Sequence, residues 1–561
     1  MKGIAISTTS TISYHLAKRE RPKPATGYSQ VARGQQTSVF IHILVNYQPS
    51  PGMSHLAPSV PSERLRYAAF CRAYQLVTKT WPTGNSPHTA SIHVLDNDSL
   101  LNVFYLYRPP ILDGNENDEA RVMGGKWDRE RWWYKLAHVC QRWRKVILGS
   151  ASYLDLCLVC TYGTPVAHML AHSPPLPLVI NYIDPDRHIT AEEEGIILAL
   201  KQRDRVRRIR LEVALPILRK FIGIIDEEYP MLESLIMAPP NNEDKNSILL
   251  LPETLRAPHL RHLALGCFFL TIRSRLLTTA VGLTMFSHFV GHPSSYFQPN
   301  ILLQWLSLMP QLETLIIIFF FPVPSRDVER QLRNKPITTH VTLPNLRQFS
   351  FMGVSAYLEA VVRRITTPRL EKLSIAFYKQ LMFSIPRLGQ FMDTTSLRFD
   401  SVKLEFNEDR AYVGVYFREA KMYNLEMAFH CLHLDWQVSS VVQIFNSLNP
   451  ISSTVEHLSL KHRVHRRSSD EHNEVDRTEW RKLLRPFSNV KTLHVDDGLV
   501  KELSRSLRLD DGELPLETLP ELQELTYSED DDTRDAFKSF IDARKDAGRP
   551  VTLTVVEHPT A

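Results

Sequence analysis

The sequence predicts an α/β protein in which a small helical module precedes a long, irregular repeat solenoid, with parallel strands on a concave face and helices outside. Two observations predict the solenoid. A six-residue apolar pattern recurs at intervals of 24 to 35 residues, with one interval of 52, and segments with helical spacing of apolar residues lie between many of the copies. A tryptophan-rich amphipathic segment upstream predicts the helical module.

Composition limits the classes of function. The 561 residues are 43% hydrophobic, and 66 Lys plus Arg against 61 Asp plus Glu give a net charge of only +5. Such a balance does not favour a polyanionic partner, so we expect no nucleic acid. No apolar run approaches the roughly 18 residues of a membrane helix, so we expect no membrane partner. The six cysteines are few and scattered, which suits the reducing cytoplasm or nucleus.

Residues 1–90 mix Ser, Thr, Pro and Gln without a sustained apolar period, and we interpret them as a disordered extension. Residues 91–160 differ. Asn97 or Asp98 can cap a first helix that ends before Pro109, and the segment RERWWYKLAHVCQRWRKVIL predicts one long amphipathic helix. The alternating leucines of Tyr153–Cys160 then predict a strand that joins this module to residues 161–561.

The repeats follow the outline L-x-x-L-x-L, eleven times in all. They are VRRIRL from Val206, LESLIM from Leu232, LRHLAL from Leu260, LETLII from Leu312, LRQFSF from Leu346, LEKLSI from Leu370, FDSVKL from Phe399, FHCLHL from Phe429, VEHLSL from Val455, VKTLHV from Val490 and LQELTY from Leu522. Six copies carry a proline two residues earlier. Each unit is predicted to be strand, turn and helix, the organisation and length of a leucine-rich repeat. A helix, Gly548 as its C-cap, and a strand up to Val556 close the array.

Other patterns favour structural roles. Cys157 and Cys160 form a single CxxC without a second pair, so we predict no metal site. The histidines near KHRVHRR lack an ordered ligand pattern and are interpreted as a charged loop, and the basic run Lys201–Arg210 as a helix end and a strand. No phosphate loop, dinucleotide fingerprint or nucleophile elbow occurs, so we predict no catalytic residues and no cofactor.

Two segments resemble the F-box-like proteins of mushroom-forming fungi, in which such a motif precedes divergent leucine-rich repeats. VLDNDSLLNVFYL (Val94–Leu106) resembles the opening F-box helix, and WWYKLAHVCQRWRKVILGSASYLDLCLVC (Trp132–Cys160) resembles the W-x-x-L-x-x-V-C-x-x-W-R helix and the following strand. The sequence departs from the pattern at Asp96, where proline is usual, and in a longer polar insert between the helices.

The resemblance implies that the module docks on the Skp-type adaptor of a cullin ubiquitin ligase while the repeats hold a protein substrate. The implied adaptor-binding residues are Leu95, Leu100, Leu101, Val103, Phe104, Leu136, Val139, Cys140, Trp143 and Arg144. Trp132, Trp133 and Trp143 fit a core role and a partner contact equally well.

We therefore predict a protein-binding substrate adaptor. Residues flanking the fourth hexad position are expected to face the concave side and to contact the substrate. They are His262, Ala264, Lys372, Ser374, His457, Ser459, Thr492 and His494. One alternative is a repeat scaffold that no longer binds the ligase adaptor, which the Asp96 departure favours. Another is an enzyme with a site dispersed along the sequence.

Overall fold

The computed structural model describes residues 95–108, 131–183, 192–239, 249–266, 268–271, 273–287, 298–319, 338–378, 383, 385–418, 423–448, 452–463, 475–508, 516–529 and 535–557. The chain divides into two units, residues 1–107 and residues 108–561, and we describe each by itself. The predicted extension, residues 1–90, lies outside the described residues.

In the first unit, helix α1 (Asn97–Tyr107) begins directly after Asp96. The Asp96 carboxylate accepts a hydrogen bond of 2.7 Å from the Ser99 backbone N–H. This bond stabilises the charged form and holds the pKa of Asp96 below its ordinary value. Asp96 is therefore the N-cap, and the prediction that Asn97 or Asp98 caps the helix is wrong. The residue that departs from the F-box pattern is the one that starts the helix.

The second unit opens with two helices where the sequence predicts one. Helix α2 (Trp132–Ala137) ends at His138, and α3 (Gln141–Gly149) begins after Cys140. Cys140 is extended, with φ −157° and ψ 168°, and its sulfur accepts from the Trp143 N–H. The Arg144 guanidinium donates to the Ala137 carbonyl at 3.0 Å and so fixes the bend. The apolar period continues through the bend, which is why periodicity alone does not reveal it.

Sixteen strands form one sheet in the order β1-β2-β3-β4-β6-β8-β9-β11-β13-β16-β15-β14-β17-β18-β19-β20, and β5–β7 and β10–β12 form two short parallel pairs. The strands are β1 (Leu158–Cys160), β2 (Leu178–Ile183), β3 (Val206–Glu212), β4 (Ser234–Ala238), β5 (Leu249–Leu250), β6 (His262–Gly266), β7 (Phe268–Phe269), β8 (Gly282–Ser287), β9 (Thr314–Phe319), β10 (Val341–Thr342), β11 (Gln348–Gly353), β12 (Ile365–Thr366), β13 (Lys372–Tyr378), β14 (Ser401–Asn407), β15 (Arg410–Tyr416), β16 (Tyr423–His430), β17 (His457–Arg463), β18 (Thr492–Val495), β19 (Glu524–Glu529) and β20 (Thr552–Glu557).

Helices connect many of these strands. They are α4 (Val166–His172), α5 (Glu193–Leu200), α6 (Leu215–Ile222), α7 (Leu276–Thr279), α8 (Pro299–Ser307), α9 (Ser355–Val362), α10 (Pro386–Asp393), α11 (Leu434–Ser447), α12 (Arg477–Leu484), α13 (Asp497–Leu507) and α14 (Lys538–Asp546). The helix side chains pack on the sheet face that carries the buried apolar residues, as in the edge-to-face pairs Phe319–Tyr357 and Phe406–Trp480. The fold is therefore a mixed α/β repeat solenoid with a parallel-dominated sheet, as predicted.

The proline before each hexad has a local explanation. In all six copies that carry it, the N–H of the first hexad residue donates to the carbonyl three residues earlier, at 3.1 to 3.4 Å. Proline therefore occupies the second position of a β-turn, where its fixed φ is favourable. The turn places the first hexad leucine in the core, for example Leu232 and Leu312, which are fully buried.

One gap in the repeat pattern is filled by a strand, and two sequence assignments of strands need correction. Strand β8 fills the interval of 52 residues, so that interval holds an additional repeat. Near the module, only Leu158–Cys160 of the strand expected at Tyr153–Cys160 is extended, because Asp155 adopts a left-handed φ of 53°. The hexad FHCLHL is wrong: the strand is Tyr423–His430, Leu432 is 70% exposed, and Leu434 begins a helix.

The last correction reveals a reversal of strand order. Strands β14, β15 and β16 form an antiparallel meander in which β16 pairs with β13 and β14 pairs with β17. The buried side chain of Gln437 on α11 donates to the Asn407 and Cys431 carbonyls at 2.7 and 2.9 Å, so it ties the ends of β14 and β16 together. The meander runs backwards along the solenoid, and the sheet is parallel on both sides of it.

The C-terminal end follows the prediction. Helix α14 ends at Ala547, Gly548 takes the left-handed φ of 76°, and β20 pairs in parallel with β19. Arg544, fully buried, donates to the carbonyls of Leu519, Pro520 and Leu522 at 3.0 to 3.2 Å. These bonds give hydrogen-bond partners to the backbone carbonyls of the turn that precedes β19.

Candidate protein-binding surface

Within the described residues, the helices pack on one face of the sheet, and we call the opposite face the open face. Strand residues alternate between buried apolar side chains toward the helices and half-buried side chains toward the open face, as in β11 and β16. All eight predicted substrate-binding residues belong to strands of this sheet and alternate with buried leucine, isoleucine or valine. His262 is exposed and the other seven are half-buried.

The structure brings four of these eight residues together. His457 and Ser459 on β17 lie opposite Thr492 and His494 on β18, and the His457 Nδ1 lies 2.7 Å from the Thr492 hydroxyl. Burial is the largest cause that lowers the pKa of both His494 and His262. The remaining two pairs are distant from this group, because β16, β15 and β14 lie between β13 and β17, and β6 lies further away, beyond β8, β9 and β11.

Charged residues form pairs on the open face around the meander, and of the four only Lys372 is predicted from the sequence. Lys372 on β13 lies 3.8 Å from Glu426 on β16, and Lys403 lies 2.6 Å from Glu405 on the same strand β14. The four side chains are only 11 to 21% exposed. Because each cation is paired with an anion, the net charge of this part of the surface is close to zero. The pairing also holds each charged group in a defined position.

A cluster of three tyrosines lies between these ion pairs. The Tyr423 ring makes edge-to-face contacts with Tyr412 and Tyr416, with centroids 5.8 and 5.3 Å apart. The ring crosses Gly414, where a Cβ would lie 2.5 Å from it, so only glycine fits at this position. Burial and the neighbouring carboxylates Glu426 and Glu405 raise the Tyr412 pKa, so its hydroxyl stays protonated.

The signal for this cluster is present in the sequence. In RAYVGVY, the residues Ala411, Val413 and Val415 alternate with Tyr412, Gly414 and Tyr416, which is the pattern of a half-buried strand. The hexad outline does not include β15 because no leucine occurs in it. A search restricted to one repeat pattern therefore passes over the antiparallel strand.

The predicted adaptor-binding residues differ in exposure. In α1 and the residues preceding it, Leu100 and Phe104 are buried, whereas Leu95, Leu101 and Val103 are half-buried. Around α2 and α3, Leu136 and Trp143 are buried, Cys140 is half-buried, and Val139 and Arg144 are exposed. Trp132 and Trp133 are also buried, with exposed fractions of 8% and 6%, and Trp133 donates to the Cys157 carbonyl. The exposed and half-buried members are thus the ones available to a partner without rearrangement.

The remaining patterns have structural environments. Cys157 and Cys160 are buried, and burial raises the pKa of both thiols, to about 12 for Cys160. His457 and His462 lie in strand β17 and not in a loop, which corrects the sequence interpretation, while His465 and His472 lie outside the described residues. In the basic run, Arg207 pairs with Asp155 and Glu233. Arg205 donates to the carbonyls of Leu176 and Pro174.

A metal site and a membrane-spanning helix are two further features that would bear on function. No group of three His, Cys, Asp or Glu side chains among the described residues is placed to hold a metal ion. The helices of those same ranges include none with the length and apolar character needed to cross a bilayer.

Comparison with protein-family models and with curated proteins gives no match. Among solved structures, the chain is similar to the leucine-rich-repeat-containing protein LegL7 from Legionella pneumophila, at 11% identity over 69% of this chain and 97% of that one. The TM-score is 0.25, so this likeness carries no argument about function. The chain is therefore characterised by its own architecture, a mixed α/β repeat solenoid with a long, parallel-dominated sheet.

Proposed function

We propose that the protein is a substrate-recognition subunit of a Skp-cullin-F-box type ubiquitin ligase, in which the open face binds a protein substrate. The module of residues 91–160 would dock on the Skp-type adaptor. The observation that carries the recognition half is the tyrosine cluster Tyr412, Tyr416 and Tyr423, which is half-buried on the open face and flanked by ion pairs. Tyrosine is enriched in protein-binding hot spots because it offers a large, rigid contact area together with a hydroxyl.

The adaptor half rests on the resemblance of Val94–Leu106 and Trp132–Cys160 to F-box segments. Asp96 supports it in one respect: it caps α1, so the helix begins without the usual proline. Val139, 49% exposed in the bend between α2 and α3, offers an apolar contact to the adaptor. No chemistry by the chain itself is part of the proposal.

The adaptor half is tested by reconstitution with a purified Skp-type adaptor. We expect the intact chain to retain the adaptor in size-exclusion chromatography and Val139→Glu to lose it. The matched control is Tyr153→Glu, which introduces the same charge at a site that is 51% exposed and outside the predicted set. If the unmodified chain fails to retain the adaptor under gentle conditions, the ligase role is wrong and the repeat-scaffold alternative replaces it.

The recognition half is tested by affinity purification with quantitative mass spectrometry. We expect Tyr412→Ser combined with Tyr416→Ser to deplete bound proteins other than the adaptor by at least about tenfold, as loss of aromatic hot spots does. The control, Trp436→Ser, removes an aromatic residue on helix α11 that is 45% exposed. Equal recovery with both variants would exclude the open face as the binding surface.

A further inference from the structure

Strand pairing aligns one row of open-face residues across eight strands, from β8 to β17. Each neighbouring pair in this cross-sheet row is in direct register. The row consists of Phe286, Ile318, Met352, Ala376, Ala428, Tyr412, Glu405 and Lys461. At about 4.8 Å between neighbouring strands, it is about 34 Å long.

The row is apolar over its first five strands. Phe286, Ile318 and Met352 are half-buried and follow one another on β8, β9 and β11. The Phe286 ring lies close over Gly266, where a Cβ would be 2.4 Å from the ring. These side chains therefore form a continuous apolar band on a face that none of the described helices covers, and such a band favours a protein partner.

Side-chain size changes in the middle of the row. Ala376 and Ala428 are direct neighbours on β13 and β16, between Met352 on one side and Tyr412 on the other. Because two methyl groups lie between two long side chains, the row has a shallow depression there. A branched or aromatic side chain of a partner fits such a depression, as hot-spot residues do.

The far end of the row carries a cation. Lys461 on β17 lies in register with Glu405, but Glu405 is ion-paired with Lys403 at 2.6 Å. Within the described residues, no carboxylate lies within ion-pair distance of Lys461. Burial and, after it, the Lys461 charge lower the pKa of the neighbouring His494.

We infer that the cross-sheet row binds a segment of a partner protein that carries a bulky apolar side chain and, about 14 Å away, a carboxylate. The apolar side chain packs over Ala376 and Ala428, and the carboxylate pairs with Lys461. The 14 Å corresponds to three strand spacings, and a partner spans it with about nine residues of helix or four of extended chain. This inference rests on the proposed function, since it names the chemistry that the open face selects.

The test uses a displayed library of random 16-residue peptides selected against the intact chain. We expect enriched peptides to combine Leu, Phe, Ile or Trp with Asp or Glu at one of those two spacings. Selected peptides are then synthesised, and their binding to variants is measured by fluorescence anisotropy. Ala428→Leu fills the depression and is expected to weaken binding at least tenfold. Thr526→Leu enlarges a half-buried open-face side chain on β19, outside the row and outside the predicted binding residues, so it is the control and leaves binding unchanged.

Lys461→Glu provides a second, independent variant on a half-buried, charged position, which keeps the test valid if Ala428→Leu perturbs folding. Selection against this variant is expected to replace Asp and Glu by Lys or Arg at the same spacing. Enrichment without the apolar and acidic pair, or an unchanged preference in Lys461→Glu, would overturn the inference. The proposed function would then still stand if the Tyr412 and Tyr416 substitutions deplete cellular partners, so the two failures are distinguishable.

Discussion

Arg544 shows how a single buried cation can hold a turn. Its side chain is fully buried and donates to the carbonyls of Leu519, Pro520 and Leu522 before β19, of which the Leu519 carbonyl also accepts from the Leu522 N–H. Arg544→Met should lower the free energy of unfolding by about 3 kcal/mol, because the carbonyls lose their partners in a buried environment. Arg549→Met, which removes an exposed ion pair with Glu521, should change it by at most about 0.5 kcal/mol. Urea unfolding followed by circular dichroism measures both, and similar losses would contradict the assignment.

Lys461 and His494 are neighbouring residues whose charges interact. Burial and the Lys461 charge together hold the pKa of His494 below its ordinary value. In Lys461→Glu the nearby charge changes sign, so the pKa of His494 should rise. Nuclear magnetic resonance titration of the His494 ring measures this, with Lys491→Glu as a control because Lys491 pairs with Glu456 instead. A pKa of His494 that does not respond to Lys461→Glu would show that the two groups are not coupled.

At the scale of elements, the β16 region distinguishes the observed strand from the predicted hexad. Leu425→Ala should lower the free energy of unfolding by about 3 kcal/mol, because Leu425 is 1% exposed on the helix-facing side of β16. Leu432→Ala should cost at most about 0.5 kcal/mol, because that side chain is 70% exposed. Chemical unfolding of the two variants measures both changes. A larger loss of unfolding free energy in Leu432→Ala than in Leu425→Ala would support the predicted hexad over the observed strand.

The sequence predicts most strands because each strand places two or three leucine-like residues on one face. Strand formation there follows from the local apolar pattern. The prediction fails where longer-range contacts determine the result. The bend at Cys140 depends on its extended backbone and on Arg144, which do not change the apolar period. The order of the meander depends on which strand edge is free and on Gln437, neither of which is local. The predicted surface residues are in sheet strands, but the cross-sheet row requires a register that only the fold provides.

At the scale of the whole molecule, several histidines make stability depend on pH. Burial lowers the pKa of His262, His430, His462 and His494 from the ordinary value of 6.5. The unfolded chain therefore binds protons at these sites before the folded chain does. Their contribution to stability is present above about pH 6.5 and is lost as the pH falls through the lowered folded values.

We therefore expect the urea midpoint of the intact chain to decrease between pH 7.5 and pH 5.5. Replacing His462 and His494 by Gln should reduce this decrease, since two of the four groups no longer titrate. Far-ultraviolet circular dichroism provides the readout at each pH. An unchanged or higher midpoint at pH 5.5 would contradict the assignment of these histidines as buried neutral groups.

The backward meander has a consequence for the order in which the chain assembles during synthesis. The growing polypeptide delivers β14 before β16, yet the edge exposed by β13 accepts β16. Strand-by-strand stacking from the N-terminal side must therefore stop at β13 until the whole meander has left the ribosome. From β14 onward a second stack grows on β17, β18, β19 and β20. The solenoid is continuous in space, but this order of synthesis divides it into two stacks that meet at the β13–β16 pairing, which carries the two alanines of the row.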